Sequence, residues 1–390
     1  MNQLFKKYCL IILSASISAC VEPFTPEVSN YENLLVVEAF LSDDARNQEI
    51  ILSRSYPIDT TRVHYETGAG VWLEYASGNQ IVFRETKPGH FTPGAGFRPE
   101  TGTSYTLVIA TANGNLYKSD PVTMKKTPPV TGVYFERETI TSNKTGGLDE
   151  GFQVYLDSET ESNEPGYFKY EWEEIWEFST PFYSFLDYNY DGNYAFIREE
   201  NISRCWQGSF STDLNLATTE NITSGIIERQ PIRFLSFRES ILRVKYSILV
   251  KQFSLSEDGY RFWRNLKESN ESTGSLYDAQ PFQVTGNIKN VNNPSEPVLG
   301  YFDMATVSSK RIFIKRLTDL PLDIKIPTLY PNCRIGADTM ISYWELEKFL
   351  NIGYLISTYS TPPGSGFVMV VRSCIDCRLK GSNVKPEFWD

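Results

Sequence analysis

The sequence predicts a mainly β protein: an N-terminal immunoglobulin- or fibronectin-like β-sandwich, then a larger strand-rich domain with one or two short helices. Three observations carry that expectation. Between residues 34 and 124, short runs rich in β-branched and aromatic residues recur between Gly, Pro, Asn and Asp positions. Aromatic residues make up 14% of the chain and charged ones 22%, which suits a packed core and not a disordered chain. Clear helical spacing is confined to residues 256–270, with a second candidate at 341–356.

The first element is a leader. In "MNQLFKKYCLIILSASISACVEPF", Lys6 and Lys7 precede a mostly apolar stretch from Tyr8 to Ile17. A membrane-spanning helix needs roughly 20 apolar residues, about twice this length, so residues 1–19 read as a signal peptide. Ile17-Ser18-Ala19-Cys20 resembles the lipobox of bacterial lipoproteins, which implies that Cys20 is diacylated and becomes the first residue of the mature chain. Two or more acyl chains, at about 0.8 kcal/mol per buried methylene, make a stable anchor. Residues 20–32, containing "VEPFTPEVSNYE", have two prolines, three acids and no periodicity, and read as a tether. The formal charge of −11 becomes more acidic once Lys6 and Lys7 leave. That balance argues against nucleic acid and against electrostatic binding to anionic lipid, so the acyl chains must hold the membrane.

Residues 33–125 form the expected sandwich, from the runs "LLVVEAFL", "QEIILSRS", "GVWLEY", "QIVFRE", "HFTP", "SYTLVIATA" and "NLYKSDPV". The last two flank Asn113-Gly114, a hairpin signal because both residues accept positive φ. "KKTPPV", Lys125 to Val130, reads as a linker to the second domain at 130–390. There "YFKYEWEEIWEF" alternates with period two. Phe168, Tyr170, Trp172, Trp176 and Phe178 share one face and Glu171, Glu173 and Glu177 the other. An inward-facing core row is the favoured reading, and a carbohydrate-stacking platform the alternative. In the helix near 256–270, Ser256 can cap, Glu257 and Asp258 sit at the positive end, and Phe262, Trp263 and Leu266 form the inward stripe. "ISYWELEKFLNIGYLI" places Tyr343, Leu346, Phe349 and Leu350 near helical spacing.

Of the six cysteines, Cys9 leaves with the leader and Cys20 takes the lipid. Cys205, Cys333, Cys374 and Cys377 remain, an even set with three possible pairings. An envelope location permits disulfides. Zinc is disfavoured because no second Cys-x-x-Cys accompanies Cys374 and Cys377 and the chain has only His64 and His90. A redox pair would open a helix, whereas "GFVMVVRS" before it reads as a strand. Structural disulfides from Cys374 and Cys377 to Cys205 and Cys333 are therefore expected, with the pairing open.

Two readings compete at "DYNYDGNYAFIREE". Asp187, Asn189 and Asp191 before Gly192 match the opening of a calcium loop, but Arg198 stands where the bidentate Glu belongs. A hairpin with Asp191-Gly192 at its tip fits better. Nucleophile elbow, metalloprotease, phosphate-loop and dinucleotide motifs are absent, so no catalytic residue is assigned and no cofactor beyond that possible calcium. Paired carboxylates for glycoside cleavage remain the enzymatic alternative.

The stretch from Tyr246 to Phe302, with "EPFTPE" behind the lipobox and the terminal "CIDCRLKGSNVKPEFWD", resembles the Bacteroidota outer-membrane lipoproteins of domain-of-unknown-function family 4249. The resemblance implies an outward-facing, lipid-anchored protein of the outer membrane that accompanies a TonB-dependent receptor. It transfers no catalytic residue. Glu22, close behind Cys20, agrees with the acidic surface-export signals of such lipoproteins. The expected function is a non-enzymatic accessory or ligand-binding partner of that receptor. The alternative is a glycan-binding or glycan-hydrolysing surface protein using residues around 167–200.

Overall fold

The computed structural model describes residues 33–389, apart from 45–47, 57–61, 76, 143–145, 160–164, 221–224, 272–285, 334–337 and 363. The leader, Cys20 and the tether lie outside the described residues. No described helix is long and apolar enough to cross a membrane. Strands account for 50% of the described residues and helices for 11%, so the mainly β class holds.

Residues 33–125 form one sheet instead of two. The strands run in the order Ile288–Asn290, Leu116–Ser119, Ser104–Ala110, Gly70–Tyr75, Gln80–Lys87, His90–Pro93, Ile50–Arg54, Leu35–Ser42 and Leu299–Ala305. This sheet curls into a nearly closed, barrel-like unit around Leu35, Leu41, Leu52, Leu73, Tyr105, Tyr117 and Phe302. An immunoglobulin-like sandwich is thus not what the hydrogen bonds draw here. The reason lies far along the chain. Leu299–Ala305 returns to pair in parallel with Leu35–Ser42, Val36 opposite Leu299 and Ser42 opposite Ala305. Parallel strands need a long crossover, which local spacing does not encode. Gly300 permits the approach: its φ is 123°, and a Cβ there would lie 1.9 Å from the Val37 carbonyl oxygen. At the 111–115 hairpin, only Gly114 takes positive φ, at 89°. Asn113 contributes its side chain, accepting from Thr111 Oγ1 at 2.6 Å.

The two-sheet sandwich appears in the second unit. One sheet holds Val130–Thr141, Leu148–Glu159 and Ile226–Ser236; the other holds Arg204–Phe210, Tyr167–Ser179, Lys245–Ser254 and Val307–Lys315. Asn215–Thr218 pairs with the first residues of Tyr167–Ser179. Their facing sides share a core of Val133, Val154, Leu156, Phe168, Tyr170, Leu235, Ile248 and Val250. The stretch expected to be a linker is strapped down, with Lys125 N donating to Met304 O at 3.2 Å and Thr127 N to Thr306 Oγ1 at 2.8 Å. Lys251, its side chain 4% exposed, ties the units together through Asp44 at 3.0 Å and Glu173 at 2.6 Å.

The helix runs Glu257–Glu271. Ser256 caps it, its Oγ accepting from Gly259 N at 3.0 Å. Its first turn rests on the buried Asp303, whose Oδ2 accepts from Ser256 N and Oγ at 3.1 and 3.0 Å. The second helix is shorter than its periodicity predicts. A 3₁₀ turn at Tyr343–Glu345 leads into Leu346–Asn351, which ends at Gly353 with φ 90°, and Tyr354–Tyr359 is a strand. That strand, Phe367–Val371 and Asp338–Ile341 make a small distal sheet.

Cys205 pairs with Cys377 and Cys333 with Cys374, so the two cysteines of the Cys-x-x-Cys do not pair with each other. The tail is tied further by Trp206 N donating to Ser382 O at 2.7 Å. Trp389, 3% exposed, donates from Nε1 to Glu177 Oε2 at 3.1 Å.

Candidate functional site

The hairpin expected between "FYSFLDYNY" and "NYAFI", residues 182–197, forms from the shorter strands Leu186–Asn189 and Tyr194–Ile197, with Asp191-Gly192 in its turn. Period-two alternation gives it two faces. Leu186 and Tyr188 turn inward and pack with Ile341, Ile356, Phe367 and Met369 of the distal sheet. Tyr183 and Phe185 turn outward, 52% and 61% exposed, their rings stacked with centroids 6.2 Å apart. Pairing sets Phe196 opposite Asp187 and Tyr194 opposite Asn189, and these two aromatics are 40% and 54% exposed. Phe185 N donates to Ser357 O at 2.9 Å and Ser357 Oγ to Tyr183 O at 2.8 Å, so the hairpin extends the edge of the distal sheet. Both disulfides hold the tail that follows that sheet. The four rings therefore stand on a fixed platform.

The polar groups among them are already engaged. Asp187 Oδ1 meets Arg198 Nη2 at 2.9 Å, and Arg198 Nε donates to Ser184 Oγ at 3.1 Å. Asn189 Oδ1 accepts from Gly192 N at 2.8 Å, closing the turn. Asp191 is exposed at the tip. The three calcium-ligand candidates thus sit on one hairpin but address different partners. Glu200, which follows the loop, accepts from Asn383 Nδ2 at 2.7 Å and pairs with Arg378 at 2.7 Å. Those contacts, the Asn383 bond foremost, hold its carboxyl below the ordinary range. No cluster of three or more His, Cys, Asp or Glu suited to a metal occurs among the described residues.

The earlier aromatic row lies elsewhere. Phe168, Tyr170 and Phe178 are buried, and Trp172 and Trp176 are half-buried. Glu174 shares their face, 4% exposed, and accepts from Tyr246 Oη at 2.6 Å. Sequence reasoning missed Tyr183, Phe185, Tyr194 and Phe196 as an exposed set. The signal was present in "YSFLDYN", where aromatics alternate with Leu186 and Tyr188.

A family model described as Domain of unknown function (DUF4249) matches residues 21–311. The match includes the hairpin and stops before the strands of the distal sheet that support it. Comparison with curated proteins gives no match.

Proposed function

Since the chain belongs to the DUF4249 family, we propose its role from its own residues: a non-catalytic accessory lipoprotein of the outer membrane that docks on a TonB-dependent receptor through the aromatic hairpin face. The observation that carries this reading is the set of four rings, Tyr183, Phe185, Tyr194 and Phe196, exposed on the hairpin and the segment leading into it. Tyr and Phe are enriched at the centres of protein interfaces, where each adds large apolar area with few rotatable bonds. Leaving such area in water forgoes about 25 cal/mol per Å², a term a partner recovers. The ion pair Asp187–Arg198 already satisfies its own charges, so the face suits an apolar protein surface better than a hydroxyl-rich ligand. A lipid on Cys20 and the tether at 20–32 would keep the face at high effective concentration near a membrane-embedded partner, on the cell surface.

The test uses tagged protein cross-linked in intact cells. A TonB-dependent receptor should co-purify above control, and Phe185→Ser with Phe196→Ser should abolish recovery while leaving the melting temperature unchanged. Equal recovery with the variant, or no receptor at all, overturns the reading. So does a purified protein that releases reducing sugar from a polysaccharide. Cys20→Ala should release the chain from the membrane fraction, and unchanged retention would remove the anchor from the proposal.

A further inference from the structure

A second surface differs from the hairpin in that two of its acceptors, the Asp213 carboxylate and Gln230 Oε1, are left open among groups that are otherwise engaged. Strand Tyr167–Ser179 is flanked on one side by Arg204–Phe210 as far as Glu173 and by Asn215–Thr218 from Tyr170 backwards. Between them the chain leaves the ladder at residues 211–214, beside Trp172, with Ser211 Oγ accepting from Trp172 N at 3.1 Å. The facing sheet presents its edge strand Ile226–Ser236 here, interrupted by Pro231, which has no N–H for a further strand. The two edges enclose a cleft of about 710 Å³. That is inside the roughly 300–1,000 Å³ range of small-molecule sites. Asn215 and Gln230 join its walls: Gln230 Nε2 donates to Asn215 Oδ1 at 3.0 Å, and Asn215 Nδ2 to Pro231 O at 2.8 Å.

We infer that this cleft binds a neutral saccharide, with the half-buried Trp172 as an apolar wall and Asp213 and Gln230 as hydroxyl acceptors. The inference stands apart from the docking face and does not rest on it. Charge decides the ligand class. The Arg233 guanidinium lies 5.3 Å from the Trp172 ring centroid and already takes the place over the ring where a ligand cation would sit. Arg233 cannot serve an anion freely, because it already meets Glu174 at 3.4 Å, Glu239 at 3.3 Å and the Phe234 carbonyl at 2.7 Å. Lys267, also in the wall, has a partner of its own. The exposed carboxylate of Asp213 and the Oε1 of Gln230 take no partner among the described residues, and both are acceptors. A ligand that donates from several hydroxyls, carries no charge and offers an apolar ring face meets all of these conditions.

The experiment titrates the full mature chain by calorimetry with maltotriose, cellotriose and mannotriose, and with trigalacturonate and the glucosamine trimer as charged counterparts. At least one neutral trisaccharide should bind, more tightly than either charged one. Asp213→Ala, at an exposed position, and Gln230→Ala, at a half-buried one, should each weaken binding about tenfold. Trp172→Leu should abolish it. Phe185→Ser should leave it unchanged, which separates this site from the docking face. Failure of all three neutral sugars at about 10 mM, weaker than the millimolar range, would overturn the inference. So would preference for a charged trimer, or binding indifferent to both the Asp213 and the Gln230 substitution.

Discussion

Two aromatic rows lie next to each other in the chain and end in opposite environments. In Tyr167–Ser179, Phe168 and Tyr170 are sealed beneath the opposing sheet, and Phe178 beneath the tail beside Tyr330. From 183 to 196, Tyr183, Phe185, Tyr194 and Phe196 face water. Both rows follow the same period-two alternation. Alternation therefore reports that two faces exist and not which face a core will cover. The sandwich strand has a second sheet over its aromatic side. The hairpin has one covering sheet, and Leu186 and Tyr188 have taken that side. The first row supplies cohesion, and the second is left over for contact.

The largest expected effect breaks this comparison if it fails. Phe168→Ala removes a ring that is 2% exposed and should cost about 3–5 kcal/mol. Phe185→Ala, at a ring 61% exposed, should stay within about 0.5 kcal/mol. Urea unfolding of both variants measures the difference. Similar losses would mean that the outer row is structural and that its exposure has no bearing on docking.

The next effect concerns how each region is held. The distal sheet and hairpin bury a small cluster and rely on staples, whereas the sandwich core is broad. Cys333→Ala with Cys374→Ala opens a loop of sequence separation 41 and should cost about 2–4 kcal/mol. Hydrogen exchange should then quicken in 338–371 and not in Lys245–Ser254. Uniform loss of protection would show one cooperative unit and would erase the distinction between platform and sandwich.

These cases also show how far the residues could be read in advance. Ser256 before Glu257-Asp258, an even set of four cysteines, and Asp191-Gly192 between alternating runs are local signals, and each led to its element. What stayed hidden depends on distant segments. Leu299–Ala305 closing the first sheet requires a parallel partner far away in sequence. Glu174 faces inward among aromatics because Tyr246 and Arg233 meet it there, and neither is near it in sequence. The cleft beside Trp172 arises where strands 204–210 and 215–218 part company, a break visible only in the pairing register.

Smaller effects should appear in acid, with opposite signs in the two regions. Burial pushes Asp376 up, but hydrogen bonds from Arg378 and Arg372 outweigh it and hold the carboxyl below its ordinary 3.8. A depressed folded value gives stability that is complete above about pH 3.8 and fades as pH falls through the folded value. Asp303, beneath the helix, is raised above 3.8 by burial. Its ionisation therefore costs stability as pH climbs from 3.8 to the raised value. Melting temperature against pH should show a shallower acid limb for Asp376→Asn and a steeper one for Asp303→Asn. A shift in the same direction for both would contradict the assigned environments.

The smallest expected effect is none, and it sharpens the outer row most. If Asp187, Asn189 and Asp191 held calcium, 1 mM calcium over a dissociation constant of about 1 μM would add about 4 kcal/mol through mass action. The hairpin gives such an ion little to work with. A cation would have to displace the Arg198 guanidinium from Asp187, 2.9 Å away, and pull Asn189 Oδ1 from the Gly192 N–H that closes the turn. Glu200, two residues past Arg198, is bound to Arg378 and Asn383 of the tail. Thermal melts with and without calcium should superimpose, for the native chain and for Asp187→Ala with Asp191→Ala. A rise present in the native chain and lost in the double variant would make this hairpin an ion site. The rings around it would then be organised by the metal, and the reading of the outer row as a plain apolar contact face would fall with that result.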